Sequence, residues 1–247
     1  MPSPGDKSKN RGSVEVITGL QYRANIVTGN MTIKIHKLDA SPPVRGVLMT
    51  AELIKLNYEP VEVDFMAGEH LTPEYREKNP LHSVPYLEDD DFLLADSHAI
   101  ITYLVSKYGG DQQDKLYPED LQARAIIDQR LYFDTSLLFP AIRGIVKTIT
   151  GGERTSPTEQ QLKDVIDGYD ILEKYLQKDK FAAGDHLTLA DVSLVASIST
   201  LAAIVPIDDK YTKVNAWWNK LKEEDWYKKG NLPGLTQFEG FIKSVLK

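Results

Sequence analysis

The first third of the chain alternates between strand-like and helix-like patterns of hydrophobic residues. Residues 31–38 and 59–65 place apolar side chains at every second position, which is typical of half-buried strands. Residues 44–56, between them, repeat apolar positions at helical spacing. Two short apolar runs flank an acidic turn at 88–91, and a further helical pattern covers 96–108. Strands that alternate with helices predict a layered α/β unit.

The rest of the chain carries only helical patterns. Residues 109–118 are polar and contain two consecutive glycines, so we expect a linker there. Apolar stripes then recur at helical spacing, beginning with 121–149, and the helix that ends near Ala202 is apolar nearly all round, which predicts a central position. The predicted organisation is a disordered extension over 1–30, an α/β domain over 31–108, a linker over 109–118 and an all-α domain over 119–247.

Composition and charge exclude several classes of protein. A formal net charge of −7 and a pI near 5.3 argue against a nucleic-acid binder, which normally carries a basic face. No apolar run approaches the roughly 20 residues that span a bilayer. The absence of cysteine excludes disulfides, thiolate metal sites and thiol redox chemistry. The first thirty residues lack the apolar core of a secretory signal, so we expect a cytoplasmic protein.

The stretch 79–98 carries the candidate chemistry. Val84-Pro85 stands directly before a predicted strand and is a candidate cis peptide, because proline reduces the trans preference to about 0.5–1 kcal/mol. In a tight turn this geometry leaves the Val84 amide and carbonyl able to pair with an extended peptide. Asp96-Ser97 opens a helix whose unpaired amides and dipole favour a carboxylate. These features predict a site that holds a small peptide by its backbone and its acidic end.

Six short motifs resemble those of the cytosolic glutathione S-transferases, in family order and at near-family spacing. They are Ser41 to Arg45, Ala67 to Leu71, Asn79 to Pro85, Asp96 to Ile100, Leu131 to Asp134, and Leu187 to Asp191. The chain is most similar to the insect epsilon class and next to the delta class, from about Met31 to Trp226. The resemblance implies a thioredoxin-like N-terminal domain that binds glutathione, an all-α C-terminal domain and a homodimer.

By this resemblance, Ser41 is the catalytic residue that hydrogen-bonds the glutathione sulfur. A thiol with a pKa near 8.5 is mostly protonated at neutral pH, whereas the thiolate is the nucleophile. A hydrogen bond to a charged group contributes about 1.5–3 kcal/mol, which would lower the thiol pKa by about one to two units. The other interpretation of Ser41 is a plain helix N-cap.

The resemblance also implies the remaining glutathione contacts. His70 and His82 would hold the glycine end, Val84 would pair with the cysteinyl backbone, and Asp96 and Ser97 would bind the γ-glutamyl end. Family members usually have glutamate where Asp96 stands. The predicted set is completed by Ser83, Pro85, His98 and Arg143. Either loop histidine could instead be a solvated residue, and the arginine could belong to a solvated helix face.

An electrophile pocket is expected between the two domains, where small-molecule sites often lie. The positions that match the family pocket are Pro43, Asp134, Phe139, Ile142, Val146, Thr150, Leu201, Ile204 and Val205. Most of these are apolar residues on helices, so they could equally belong to the core. Asp134 is the exception, and a structural role is favoured for it. In a Noppera-bo-like branch, which acts in steroid-hormone synthesis, this acid would instead contact a steroid hydroxyl.

The predicted activity is conjugation of reduced glutathione, as co-substrate, to small hydrophobic electrophiles in detoxification, without a metal. Thiolate stabilisation and the juxtaposition of two bound reactants would supply the catalysis. Dehydrochlorinase and peroxidase side activities are also expected. Two alternatives stay open: a carrier that binds apolar ligands without turning them over, and the Noppera-bo-like role. Retention of Ser41, His82, Asp96 and Ser97 argues against a transferase-like interaction domain.

Overall fold

The structure of the protein is a computed structural model in which residues 33–152 and 154–246 are described. The expected extension over 1–30 therefore lies outside the described residues. A single sheet of strand order β2-β1-β3-β4 forms the first part of the fold. Its strands are β1 (Ile33–Lys37), β2 (Glu59–Glu62), β3 (Tyr86–Asp89) and β4 (Phe92–Ala95).

The sheet is mixed, with β1 at its centre. Ile35 lies opposite Pro60 in the parallel pair with β2 and opposite Leu87 in the antiparallel pair with β3. Alternate residues of β1 are buried, as the sequence pattern predicts. β2 ends at Glu62 instead of continuing to Phe65, because its partner strand β1 ends at Lys37, which lies opposite Glu62.

Helices make up the remainder of the fold. They are α1 (Pro42–Leu53), α2 (Pro73–Lys78), α3 (Ser97–Tyr108), α4 (Gln113–Leu116), α5 (Leu121–Phe133), α6 (Phe139–Thr150), α7 (Glu159–Leu176), α8 (Leu189–Ala202), α9 (Thr212–Lys222), α10 (Asp225–Gly230) and α11 (Leu232–Val245). Short 3₁₀ turns lie at Glu69–Leu71 and Gly110–Gln112, and a π-helical turn at Asp134–Leu138 joins α5 to α6.

This arrangement confirms the predicted fold class: an α/β part with one sheet, followed by a helical part. The expected linker over 109–118 contains the short helix α4 and a 3₁₀ turn, and the domain boundaries stay a prediction. Across residues 33–152 and 154–246, no helix has the length and apolarity that crossing a membrane would require.

Helix α8 lies at the centre of the helical part. Every residue from 189 to 201 is buried, which confirms the central position predicted from its apolar sequence. Asp191 is also buried, and its carboxylate accepts hydrogen bonds from the Thr188 amide at 3.0 Å, the Ala182 amide at 2.8 Å and the Trp217 indole at 2.9 Å. The buried carboxylate is therefore fully used in fixing the start of α8.

A second buried carboxylate attaches the β3–β4 hairpin to α3. Asp89, 2% exposed, accepts hydrogen bonds from the hydroxyls of Tyr103 at 2.6 Å and Tyr108 at 2.7 Å and from the Lys107 ammonium at 2.7 Å. Burial alone would raise the pKa of Asp89, but these hydrogen bonds and the lysine charge lower it. The contact fixes the hairpin relative to the helix that begins at Ser97.

We expect Asp89→Asn to lower the free energy of unfolding by about 2–3 kcal/mol, because three donors lose a charged acceptor. The measurement is urea unfolding of both proteins. Asp90→Asn is the matched control: Asp90 is exposed, and its positive φ of 54° is tolerated by asparagine. Equal losses in the two variants would contradict the structural role of Asp89.

Candidate active site

A cavity of about 580 Å³ lies where the start of α1, the loop before β3, the start of α3 and the α5–α6 junction meet. The predicted catalytic serine and the whole predicted glutathione-binding set line it: Ser41, His70, His82, Ser83, Val84, Pro85, Asp96, Ser97, His98 and Arg143. Three members of the predicted electrophile pocket also line it: Pro43, Asp134 and Phe139. The structure thus brings together residues from widely separated parts of the sequence.

Ser41 occupies the N-cap position of α1, with an extended backbone at φ −75° and ψ 121°. Its carbonyl accepts the Arg45 amide at 3.1 Å, so the helix begins there. The side chain makes no capping hydrogen bond, and prolines fill the first two helical positions. Since proline has no N–H, the first helical turn offers few amides for the hydroxyl to cap. The hydroxyl is therefore at a positive helix end, beside the cavity, without a capping function.

Buried donors fix the loop that carries His82 to Pro85. The carbonyl of Ser83 accepts hydrogen bonds from the Tyr75 hydroxyl and from the Asn79 side-chain amide, both at 2.8 Å. The Asn79 carbonyl accepts the His82 amide at 2.8 Å, and His82 has a positive φ of 41°. The Val84–Pro85 bond is cis, as the sequence predicted. These hydrogen bonds fix the loop, and Val84 lines the cavity.

The start of α3 is built by a residue in a rare conformation. Asp96 has φ 77° and ψ 121°, which is outside the regions that non-glycine residues normally occupy. Its carboxylate accepts the His98 amide at 2.9 Å and the Ala99 amide at 3.0 Å, and is half exposed. Such strain is common at ligand-binding sites, where the surrounding structure imposes it. The Asp96 carboxylate and the first amides of α3, which begins at Ser97, therefore lie at one edge of the cavity.

His70 forms another part of the cavity wall. Its ring stacks on Phe65 with centroids 3.9 Å apart and planes 12° apart. Burial, together with the nearby His82 and Arg76, lowers the pKa of His70 below its ordinary value. The imidazole is therefore mostly neutral at neutral pH and is held in a fixed orientation by the stacking.

A buried polar network lies at the start of α3, beside the cavity. The His98 Nε2 lies 3.1 Å from Asp134 Oδ2 and 2.8 Å from the Ser193 hydroxyl, which itself donates to the same aspartate oxygen. The other ring nitrogen lies 2.8 Å from the Thr135 hydroxyl. Burial alone would lower the pKa of His98, but the hydrogen bond and charge of Asp134 raise it above 6.5.

This network explains the acid that stood out in the sequence. Asp134 is 4% exposed and begins the π-helical turn between α5 and α6, an irregularity that often marks functional sites. Its Oδ1 has no hydrogen-bond partner among the described residues. Oδ2 binds the histidine at the start of α3, so the acid connects the helical part of the fold to that helix start.

Other predicted pocket residues do not reach this cavity. Ile142 and Leu201 lie in the hydrophobic core, and the Thr150 hydroxyl donates to the Val146 carbonyl within its own helix. Val146, Ile204 and Val205 pack, partly buried, against the core. Phe139 and Arg143, one turn apart on α6, point to the cavity, whereas Ile142 and Ile145 belong to the core face of the same helix. Apolar spacing alone does not distinguish these two faces.

The sequence reasoning missed several lining residues: Leu38, Pro42, Gly46, Phe65, Leu81, Ile101, Thr135, Ser193 and Ser197. The two serines had a signal. Ser193 and Ser197 are four residues apart, and so share one face of α8, a helix whose other residues are mostly apolar. Polar residues at this spacing on a buried helix indicate a site or a buried network.

Comparison with known proteins identifies the family. The model of the glutathione S-transferase N-terminal domain matches residues 35–112, and the model of the C-terminal domain matches residues 135–225. Glutathione S-transferase 1 of Manduca sexta is 48% identical over 219 residues, which are 87% of this chain and 100% of that protein. The chain belongs to the glutathione S-transferase family.

Solved structures place this glutathione S-transferase near the insect epsilon class, as the motifs predicted. An epsilon-class enzyme from the housefly, Musca domestica, has a TM-score of 0.83 at 42% identity, covering 86% of this chain and 98% of its own. A glutathione transferase homologue from Drosophila mojavensis, solved with bound glutathione, has a TM-score of 0.84 at 41% identity, covering 87% of this chain and 98% of its own. The predicted family and enzyme class are thereby confirmed.

The His98–Asp134 contact should make stability depend on pH. A histidine whose folded-state pKa is raised stabilises the fold below its unfolded-state pKa and loses that contribution as pH rises through the folded-state pKa. We expect the loss of unfolding free energy in Asp134→Asn to be larger at about pH 5.5 than at about pH 8.5. Urea unfolding at the two pH values measures it.

Asp185→Asn is the control for this experiment, since it removes the acid of an exposed histidine–aspartate pair with His186, separated by 2.7 Å. Exposed pairs contribute little because solvent screens them. A loss in Asp134→Asn that is the same at both pH values would contradict a stabilising histidinium at His98.

Proposed function

We propose that this protein conjugates reduced glutathione to small electrophiles and that Ser41 stabilises the glutathione thiolate. The observation that carries the proposal is the Ser41 side chain, which stands at a helix start beside the cavity and caps no amide. A hydroxyl and a helix N-terminus both favour an anion at this place. The thiol proton leaves to solvent, and the sulfur keeps the electron pair that attacks the electrophile.

The cavity can hold the rest of glutathione along its length. The positive end of α3 and the Ser97 hydroxyl suit the γ-glutamyl carboxylate, and the Asp96 carboxylate suits its amine. His70 and His82 lie on the same cavity and suit the glycine carboxylate. The backbone of Val84, beside the cis bond, suits the cysteinyl backbone between the two ends. Contacts at the two ends of glutathione and at its cysteinyl backbone would orient the sulfur towards Ser41.

The electrophile would rest against the mixed wall on the other side of the sulfur. Phe139 and Ile101 supply apolar surface, while Ser197 and Arg143 supply hydrogen-bond donors. With a chloronitrobenzene acceptor, the C–S bond forms as the C–Cl bond breaks and chloride leaves. Elimination of chloride from chlorinated compounds and reduction of organic peroxides use the same thiolate, and we propose them as side activities. We also propose a homodimer and a cytoplasmic location.

The carrier and Noppera-bo-like alternatives make different demands on the site. A carrier needs apolar surface but no hydroxyl at Ser41. The steroid role needs Asp134 to face a ligand hydroxyl, whereas its Oδ2 is already bound to His98 and Ser193. Its Oδ1, which has no partner among the described residues, is buried away from the cavity surface. The geometry therefore favours the transferase, with Asp134 positioning His98.

We expect Ser41→Ala to lower kcat/KM for conjugation of glutathione to chlorodinitrobenzene by about 10- to 100-fold, since the thiolate loses a hydrogen bond to its charge. Ser244→Ala removes a surface serine that donates to the Phe241 carbonyl at 2.7 Å, within its own helix, and should have no effect. Turnover that survives in Ser41→Ala would reject the role of the serine. Retention on a glutathione column without turnover would support the carrier, and no binding at all would refute the proposal.

We expect Asp96→Asn to raise KM for glutathione about 10-fold with a smaller change in kcat, because the amine loses its counter-charge. Asparagine keeps the helix cap and tolerates positive φ. Asp120→Asn is the control, since Asp120 caps α5 through the Ala123 amide in the same way. Steady-state kinetics over a range of glutathione concentrations measure the effect. An equal KM in wild type and Asp96→Asn would contradict the amine contact.

A further inference from the structure

An arginine is completely buried one helical turn after the candidate serine. Arg45 is 0% exposed, and its amide donates to the Ser41 carbonyl at 3.1 Å. Its guanidinium donates to the Asn231 side-chain oxygen at 2.6 Å, to the Ser199 hydroxyl at 3.4 Å and to the Thr200 hydroxyl. All three acceptors are neutral. The guanidinium Nε has no hydrogen-bond partner in the described part of the chain.

The charge of this guanidinium is poorly compensated. Among residues 33–152 and 154–246, two titratable groups face it, Tyr227 on α10 and Glu239 on α11. Burial raises the pKa of Tyr227, so the phenol is neutral at neutral pH. Glu239 is 40% exposed and lies 3.9 Å from the Lys243 ammonium. Burial lowers the pKa of Arg45 to about 10, which still leaves it protonated at neutral pH. A buried charge without a paired acid is unusual, because desolvation strongly disfavours it.

The position of the Arg45 guanidinium suggests that an anion bound in the cavity compensates its charge. Helical side chains lean towards the N-terminus of their helix, so the Arg45 side chain leans towards the end of α1 that carries Ser41. Its partners Ser199 and Thr200 belong to α8, which also lines the cavity with Ser197. The guanidinium therefore stands behind the cavity wall, on the side of the positive helix end.

We propose that Arg45 is a positioning residue whose buried positive charge, held by Asn231, favours ionisation of the thiol that binds beside Ser41. This inference rests on the proposed transferase function and adds a second source of thiolate stabilisation to the serine. No bond forms between arginine and sulfur: the thiol proton leaves to solvent, and the thiolate remains in the field of the guanidinium. A unit charge about 10 Å from a thiol, at an effective dielectric constant of about 20, changes the thiol pKa by about one unit, and we expect an effect of this order from Arg45.

The sharpest test is Asn231→Asp. The substitution preserves the size of the side chain and the hydrogen bond to Arg45. It also places a carboxylate next to the guanidinium, which neutralises the buried charge. The pKa of enzyme-bound glutathione is measured by the ultraviolet absorbance of its thiolate and by the pH profile of kcat/KM. We expect this pKa to rise by about one unit in the variant. Asn215→Asp, the same chemical change on α9 where the asparagine donates to the Asp208 carbonyl at 3.1 Å, should leave it unchanged.

A second pair of variants covers the case in which Asn231→Asp does not fold, which thermal unfolding would reveal. Arg45→Lys keeps the charge and should keep the low thiol pKa, whereas Arg45→Gln removes the charge and should raise it. Equal thiol pKa values in wild type and Asn231→Asp, or in Arg45→Lys and Arg45→Gln, would overturn the inference.

The experiments distinguish a failure of the inference about Arg45 from a failure of the transferase proposal. If glutathione bound to wild type keeps an unshifted thiol pKa, thiolate stabilisation itself is refuted, and the inference with it. If wild type lowers the pKa and Ser41→Ala raises it, while the charge variants have no effect, only the inference about Arg45 is refuted.

Discussion

The complete burial of α8 is the constraint on which the rest of the structure depends. A helix without an exposed face must find a partner for every polar side chain it carries, because an unpaired buried polar group destabilises the fold. At its start, Asp191 binds the preceding loop and the Trp217 indole. Further along, Ser193 binds Asp134, and near its end Thr200 binds Arg45. Each pair joins α8 to a different part of the chain.

The cavity follows from these same pairs. Ser193 and its neighbours bring the α5–α6 junction to the start of α3, where Asp96 shapes the edge of the site. The pair with Arg45 brings α1 to the other end of α8, which fixes the helix that presents Ser41. The groups that stabilise the core are thus the groups that hold the helix starts at Ser41 and Ser97 beside the cavity.

Sheet and loop chemistry could be predicted because it is local. A period of two identified β1, proline before a strand indicated the cis bond at Val84–Pro85, and Asp96-Ser97 indicated the start of α3. Each of these features depends on residues within a few positions of one another. Part of the predicted electrophile wall does not line the cavity, since apolar spacing on α6 fits both its core face, with Ile142, and its cavity face, with Phe139.

The sequence by itself determined the fold class and the family, because these depend on local patterns and on short motifs in order. Only the tertiary structure decided which polar groups pair across long separations. Nothing in the spacing of His98, Asp134 and Ser193 indicates that they form one network, and nothing around Arg45 indicates that Asn231 holds its guanidinium. Such pairs arise because burying α8 forces its polar neighbours together, and that burial exists only in the folded chain.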